Sequence, residues 1–149
     1  MYRKEGYGHS RESRLAQQAR LNDRAAGVAG NGRKNTYGGT TFKDRYGNTH
    51  EVDGKSNADH HAENDMMKKM REKIAAERNA RRAPGEPEIR QEDVDLRTEA
   101  SDVKMYVEYS PCPTGNRCQD LIDEFTPGAD VSYSWGWQPE SVRDAAKVA

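Results

Sequence analysis

The residues DVKMYVEYS at positions 102–110 alternate between apolar and polar side chains, as a half-buried β-strand does. The apolar positions are Val103, Met105, Val107 and Tyr109. This segment runs directly into PCPTGNRC at 111–118, which contains both cysteines of the chain. The sequence therefore predicts a strand that ends at a loop rich in potential metal ligands.

Upstream of this strand the sequence predicts a helix, a β-hairpin and a longer second helix. Residues 10–24 begin with a Ser cap and place Leu and Ala near helical spacing. Residues 36–52 have β-branched and aromatic residues on either side of the turn sequence DRYGN, which predicts a hairpin. Over residues 58–82 apolar side chains recur every four positions, at Ala62, Met66, Met70 and Ile74. The Pro-rich linker APGEPEIRQED follows this second helix.

Downstream of the strand the pattern continues with a short helix, QDLIDEF, which starts at the second cysteine. A further strand, ADVSYSWGW, places Val131, Tyr133, Trp135 and Trp137 on one face, and PESVRDAAKVA predicts a last helix. Helices that alternate with strands favour an α/β fold, a three-layer sandwich with a mixed central sheet flanked by helices. We expect a single domain over residues 1–149, with residues 1–9 and about 25–35 flexible.

The composition indicates a small hydrophobic core. Leu, Ile, Val and Phe together make up 17 of 149 residues, so a bound metal or partner is expected to add stability. The sequence has no run of about 18 apolar residues, and MYRKEGYGHS lacks the apolar stretch of a signal peptide. We therefore expect no association with membranes.

The charge is distributed unevenly along the chain. Residues 1–46 carry ten Lys/Arg and four Asp/Glu, whereas residues 85–149 carry six and fourteen. A basic N-terminal third is compatible with binding phosphate groups.

Four residues form a candidate metal site, namely His61, Glu63, Cys112 and Cys118. A catalytic zinc site uses three protein ligands and one water, and one His with two Cys is such a set. The two cysteines alone are also compatible with a disulfide or with free thiols. In a regular helix, side chains two positions apart point about 200° apart. His61 and Glu63 can therefore act together only if His61 precedes the helix proper and has its own backbone dihedrals.

The motif His61-Ala62-Glu63, with Pro111-Cys112 and Cys118 downstream, resembles the H-x-E and P-C-x-x-C signature of the zinc deaminases. Ser110-Pro111-Cys112 is similar to the S-P-C of polynucleotide cytosine deaminases. The chain departs from the signature in one respect, because five residues separate its cysteines instead of two.

The resemblance implies a cytidine deaminase type of fold and the activity of a bacterial deaminase toxin domain. In that family Zn²⁺ would be held by His61, Cys112 and Cys118, and Glu63 would shuttle protons during conversion of cytosine to uracil. Single-stranded DNA is the expected substrate. The protein is expected to be a monomer, secreted as an effector into the cytoplasm of a recipient bacterium, with a cognate immunity protein as partner.

The expected substrate-binding residues lie on three parts of the chain. The resemblance implies that the backbone carbonyl of Ser110 lies near the exocyclic amine and that residues around the last strand read the neighbouring base. The set expected to bind substrate comprises Ser110, Tyr133, Trp135, Trp137, Tyr37 and His50.

Several other functions are compatible with the same residues. An RNA deaminase or a free-nucleoside deaminase would use the same site. A metal-dependent nuclease toxin would instead use His60, His61 and Glu63 with His50, and the cysteines would be incidental. A zinc-stabilised interaction module would not need the carboxylate of Glu63.

Overall fold

A computed structural model describes residues 2–27, 35–56, 61–109 and 118–135, with the backbone alone for residues 118 and 119. The strands are β1 (Tyr2–Lys4), β2 (Tyr37–Lys43), β3 (Thr49–Lys55), β4 (Ser101–Tyr109) and β5 (Asp130–Trp135). The helices are α1 (Arg11–Ala25), α2 (Ala62–Arg81), α3 (Leu96–Glu99) and α4 (Cys118–Phe125), with a 3₁₀ turn at Gln91–Asp93.

The five strands form one mixed sheet in the order β1-β5-β4-β2-β3. Strand β2 is antiparallel to both β3 and β4, whereas β4, β5 and β1 run parallel to one another. As a result β1, β3, β4 and β5 all end at the same side of the sheet. We call this side the carboxyl edge; it is marked by Lys4, Lys55, Tyr109 and Trp135.

Helices cover both faces of the sheet, which is compatible with a three-layer sandwich. Helix α1 packs on one face, where Ala16 contacts a small core around Tyr37 and Tyr106. Helix α2 packs on the other face. The main core on that side contains Phe42, Val52, Met66, Met67, Met70, Ile74, Met105, Val107, Ile122 and Val131. The predicted α/β class and mixed sheet are confirmed.

Helix α2 lies very close to the sheet because two facing positions are glycines. A Cβ atom at Gly54 would lie 2.6 Å from Met66 Cγ and 2.9 Å from the carbonyl oxygen of Ala62. A Cβ atom at Gly38 would lie 2.6 Å from Met66 Cε. Real Cβ atoms do not approach other atoms so closely, so the absence of side chains here sets the distance between helix and sheet.

Helix α2 is also the longest described helix, with 20 residues. Its inner side contributes Met66, Met70 and Ile74 to the core, as the four-residue periodicity predicts. Its outer side is charged. Within the described ranges, no helix has both the length and the apolar character needed to cross a bilayer.

The structure differs from the prediction in the first residues and in the linker. Residues 1–9 were expected to be flexible, yet Tyr2–Lys4 form an edge strand that pairs with β5. Such a short strand is stabilised by its hydrogen bonds to the neighbouring strand, so no local sequence pattern predicts it. The predicted linker contains the 3₁₀ turn and is followed by α3, both too short for a periodic signal. The predicted last helix and residues 28–34 lie outside the described residues.

Candidate active site

The carboxyl edge brings together the N-termini of two helices. Strand β3 ends at Lys55 and α2 begins at Ala62, while β4 ends at Tyr109 and α4 begins at Cys118. The two helices contact each other on the same face of the sheet. The N-terminus of a helix carries partial positive charge and lowers the pKa of a thiol placed there.

His61 is the residue that precedes α2, and its backbone is extended, with φ −89° and ψ 167°. Glu63 is the second helical residue, and it is only 4% exposed. Because His61 lies outside the helical repeat, the angular separation expected for a regular helix does not apply to this pair. The backbone condition that the sequence set for joint action of His61 and Glu63 is therefore met.

Tyr2 adds an aromatic hydroxyl to the surroundings of Glu63. Its hydroxyl donates a hydrogen bond of 3.0 Å to Asp123 Oδ1 on α4. Burial raises the pKa of Tyr2 well above its ordinary value, the hydrogen bond to Asp123 adds to this, and the charges of Asp123, Asp120 and Glu63 reinforce it. The hydrogen bond therefore joins β1 to α4, and the charge of Glu63 at the start of α2 acts on the same hydroxyl. The role of Tyr2 could not be predicted from the sequence, because β1 itself was not predicted.

The remaining predicted ligands are described only in part. Cys118 is the first residue of α4, the helix that connects β4 to its parallel neighbour β5. Cys112, Ser110 and Trp137 lie outside the described residues. The structure therefore places His61 and Glu63 at the carboxyl edge, where α2 begins next to Gly54, and places Cys118 at the start of the helix that follows β4.

Three aromatic side chains meet at the same edge; we call Tyr7, Tyr109 and Trp135 the edge aromatic cluster. The Trp135 ring centroid lies 5.6 Å from that of Tyr7 and 5.4 Å from that of Tyr109. Tyr7 is 36% exposed and Trp135 is half-buried. An open cavity of about 530 Å³ runs beside them, lined by Lys4, Glu5, Gly6, Tyr7, Ser134 and Trp135.

The predicted substrate residue Tyr133 lies on β5, where it is half-buried and packs against the main core. Tyr7 was not predicted as a site residue. It follows β1 in a loop, and only the fold brings it beside Trp135.

Tyr37 does not belong to the candidate site, contrary to the sequence prediction. Its side chain points to the α1 face of the sheet, is 1% exposed and donates a hydrogen bond to Asp23 Oδ2. The guanidinium of Arg20 lies 4.5 Å from its ring centroid. Tyr37 is therefore a core residue that joins α1 to the sheet, and its burial keeps it from a substrate.

His50 is also misplaced by the sequence prediction. It lies at the beginning of β3, about 17 Å of extended chain from Lys55 at the carboxyl edge. Its Nε2 is 2.7 Å from Asp44 Oδ2, and its ring stacks on Phe42. It cannot line a pocket at the carboxyl edge. The same separation along β3 argues against the nuclease alternative, in which His50 joins His61 and Glu63 around one metal.

His50 instead belongs to a possible metal-binding group with Asp44 and Glu77, whose ligand atoms all lie within 4.8 Å of one another. Protein donors already engage both carboxylates. Asp44 Oδ1 accepts from the backbone N–H groups of Tyr46 and Asn48, and Glu77 Oε1 accepts from Arg81 Nε at 2.7 Å. In this arrangement the group fastens the hairpin turn to the second half of α2. The sequence did not predict it because Glu77 lies 27 positions from His50.

Comparison of the chain with models of protein families, with curated proteins and with solved structures found no match.

Proposed function

We propose that this protein is a zinc-dependent deaminase of the cytidine deaminase type, which converts cytosine to uracil in single-stranded DNA. One observation carries the proposal. An extended His61 and a buried Glu63 flank the first residue of α2, at the carboxyl edge of a mixed sheet.

The donor set of the candidate site fits zinc. One imidazole and two thiols are ligands that Zn²⁺ prefers, and three protein ligands leave a position for water. His61, Cys112 and Cys118 would hold the ion. When bound, zinc would supply a water molecule activated near neutral pH. The helix N-terminus at Cys118 supports this set because it favours the thiolate form.

In this proposal Glu63 is the group that moves protons. Its carboxylate would take a proton from the attacking water and deliver it to the ring nitrogen, and would then move the second proton of that water, by now the hydroxyl on C4, to the departing amine. The overall reaction consumes cytosine and water and releases uracil and ammonia. Burial of Glu63 supports the role, because a carboxylate shielded from solvent exchanges protons with the substrate rather than with bulk water.

A single nucleic-acid strand is the substrate that the surroundings favour. A base inside a duplex cannot reach a buried carboxylate unless it is flipped out. The edge aromatic cluster offers stacking surface beside the carboxyl edge, and each stacked base contributes about 1–3 kcal/mol. The basic N-terminal third of the chain is compatible with an approaching phosphate backbone.

The biological part of the proposal is that the protein acts as an interbacterial toxin. It would be secreted, enter the cytoplasm of a recipient bacterium and mutate its DNA, and a cognate immunity protein would protect the producer. This part rests on the resemblance of the motif to bacterial deaminase toxins.

The test is to incubate the protein with labelled single- and double-stranded oligonucleotides, excise uracil and measure strand cleavage. We expect cleavage of the single strand with wild type and none with Glu63→Gln. Glu77→Gln is the matched control, since it makes the same change on the same helix away from the edge, and it should retain activity.

Other outcomes of this test would contradict the proposal. Shortened strands without uracil would indicate a nuclease. Turnover of free cytidine without turnover of oligonucleotides would indicate a nucleoside deaminase. Full activity in Glu63→Gln would remove the proposed role of the carboxylate.

A further inference from the structure

A second cavity, of about 520 Å³, lies on the same face of the sheet as α2. It is bounded by α2, by residues 91–97 and by the end of α4. Its walls include the buried side chains of Val94 and Leu96 and the ring of Phe125. Two cations of α2, Lys68 and Arg71, face into it.

Arg71 differs from Arg78 and Arg81 on α2 because its guanidinium has no anionic partner among the residues that the structure describes. Arg78 pairs with Glu99 at 3.0 Å, and Arg81 pairs with Glu77 at 2.7 Å. The half-buried Arg71 lies 5.3 Å from the Phe125 ring centroid, and it makes no hydrogen bond or ion pair with any residue that the structure describes.

A half-buried charge without a counter-charge is unfavourable. The burial that produces this cost also lowers the pKa of Arg71. An anion in the cavity would offset the cost, because its charge would attract the half-buried guanidinium.

The acidic residues at the rim of the cavity do not neutralise Arg71, because each already has an arginine partner. Asp95 pairs with Arg97 at 3.2 Å. Asp93 and Glu92 lie 3.2 Å and 3.8 Å from Nε of Arg90. Glu92 and Asp93 share Arg90, so these three carboxylates and two arginines together carry −1, and Lys68 and Arg71 give the cavity a net charge of +1.

We propose that Arg71 and Lys68 form a binding subsite for a backbone phosphate of the nucleic-acid strand whose base reaches Glu63. The inference rests on the proposed function for the identity of the strand. Lys68 and Arg71 follow Glu63 by five and eight residues on α2, which corresponds to about 7.5 Å and 12 Å along the helix axis. The planar guanidinium of Arg71 can engage two phosphate oxygens at once, and Lys68 adds a point charge.

The experiment measures binding of a fluorescent single-stranded oligonucleotide to the full chain at several salt concentrations. All variants carry Glu63→Gln so that no turnover occurs. Arg71→Gln and Lys68→Gln are compared with Lys73→Gln, which removes an equal charge from an exposed position of α2 that does not line the cavity. Thermal unfolding of each variant identifies loss of fold, and Lys68→Gln keeps the test valid if Arg71→Gln unfolds.

We expect Arg71→Gln to bind about tenfold more weakly than Lys73→Gln. The slope of log affinity against log salt should fall by about 0.7, the loss expected for one phosphate contact to a single strand. Inorganic phosphate should compete weakly and deoxycytidine oligonucleotides strongly, which distinguishes a strand from free phosphate as the ligand. Equal affinities and slopes for the Arg71, Lys68 and Lys73 variants would overturn the subsite.

The same variants separate this inference from the proposed function. If wild type fails to deaminate any oligonucleotide but Arg71→Gln still weakens binding with a reduced slope, the subsite stands and the deaminase proposal falls. If wild type deaminates and Arg71→Gln behaves as Lys73→Gln does, the deaminase proposal stands and the subsite falls. If Arg71→Gln loses binding to a poly-Glu peptide but keeps its binding to the oligonucleotide, the cavity binds an acidic protein and the phosphate assignment is overturned.

Discussion

Arg20 and Glu108 form an ion pair between α1 and the central strand β4, with Nη2 2.5 Å from Oε1 and side chains 7% and 1% exposed. Glu108 also accepts hydrogen bonds of 3.0 Å from the Tyr7 hydroxyl and from the backbone N–H of Tyr37. One carboxylate therefore joins α1, β2, β4 and the loop that carries Tyr7. Through its hydrogen bond to the Tyr7 hydroxyl, Glu108 holds one member of the edge aromatic cluster in place.

Glu108→Gln should lower the free energy of unfolding by about 3–5 kcal/mol, because it leaves the buried charge of Arg20 without a counter-charge. Urea denaturation measures the change. Glu51→Gln is the control, since Glu51 pairs with Arg11 at an exposed position and its loss should have no measurable effect. Equal changes in the free energy of unfolding for the two substitutions would show that the buried pair stabilises the protein no more than the exposed pair does.

Asp44 should make the stability depend on pH in the acid range. Burial favours the neutral acid, but hydrogen bonds from His50 and from the backbone of Asn48 and Tyr46 outweigh it and lower the pKa of Asp44 below its ordinary 3.8. A carboxyl whose pKa is lowered by folding contributes stability above its ordinary pKa and loses it as the pH falls through the folded value. Asp44→Asn should therefore destabilise the protein at pH 7, and the difference from wild type should shrink below about pH 4. Urea midpoints at several pH values measure it; a difference that stays constant with pH would contradict the expectation.

Zinc content should distinguish the two candidate metal sites. Purified wild type should contain one zinc per chain by mass spectrometry, and His61→Ala, Cys112→Ser or Cys118→Ser should each lose it together with activity. His50→Ala should retain both, because Asp44, His50 and Glu77 lie at the opposite end of β3. Loss of zinc in His50→Ala but not in His61→Ala would place the ion at the hairpin instead.

Gly54→Ala should impair the candidate site without touching a proposed ligand. The added Cβ would meet Met66 and the carbonyl of Ala62, so the start of α2 must move away from the sheet. Overpacking of this kind costs about 1–3 kcal/mol. The rate of deamination should fall by more than the loss of folded protein accounts for, because the displaced end of α2 carries His61 and Glu63. Gly39→Ala is the control, since its Cβ would meet Glu12 and Leu15 of α1 on the other face of the sheet, so it should overpack the protein without displacing the start of α2.

Trp135→Ala should weaken turnover of nucleic acid and leave bound zinc unchanged. Loss of one stacking partner corresponds to about 1–3 kcal/mol in binding, seen as a higher KM. We expect the same of Trp137→Ala. If either variant unfolds, its tryptophan belongs to the core rather than to the substrate surface. Steady-state kinetics and circular dichroism separate the two outcomes.

The periodic segments of the chain were predicted well. Helix α2 and strand β4 follow from the spacing of Met66, Met70 and Ile74 and from the alternation of Met105 and Val107, which the core confirms. The extended backbone at His61 could also be anticipated, since a residue that precedes a helix is free of the helical repeat. Strand β1 could not be predicted, because three residues carry no periodic signal and their partner β5 lies more than 120 positions away.

The sequence by itself determined the longer helices and strands, because each has an apolar pattern that local backbone geometry imposes, whereas β1, the 3₁₀ turn and α3 are too short to have one. It also supplied the donor types for a zinc site in the order that the proposed deaminase needs. Only the tertiary structure decided which of those side chains share an edge of the sheet. Strand pairing joins residues far apart in the chain, and it placed His61 and Glu63 at the carboxyl edge while assigning His50 to Asp44 and Tyr37 to Asp23. Each of these hydrogen bonds satisfies a polar group that becomes buried when the chain folds. The spacing of residues along the chain does not reveal which groups become buried.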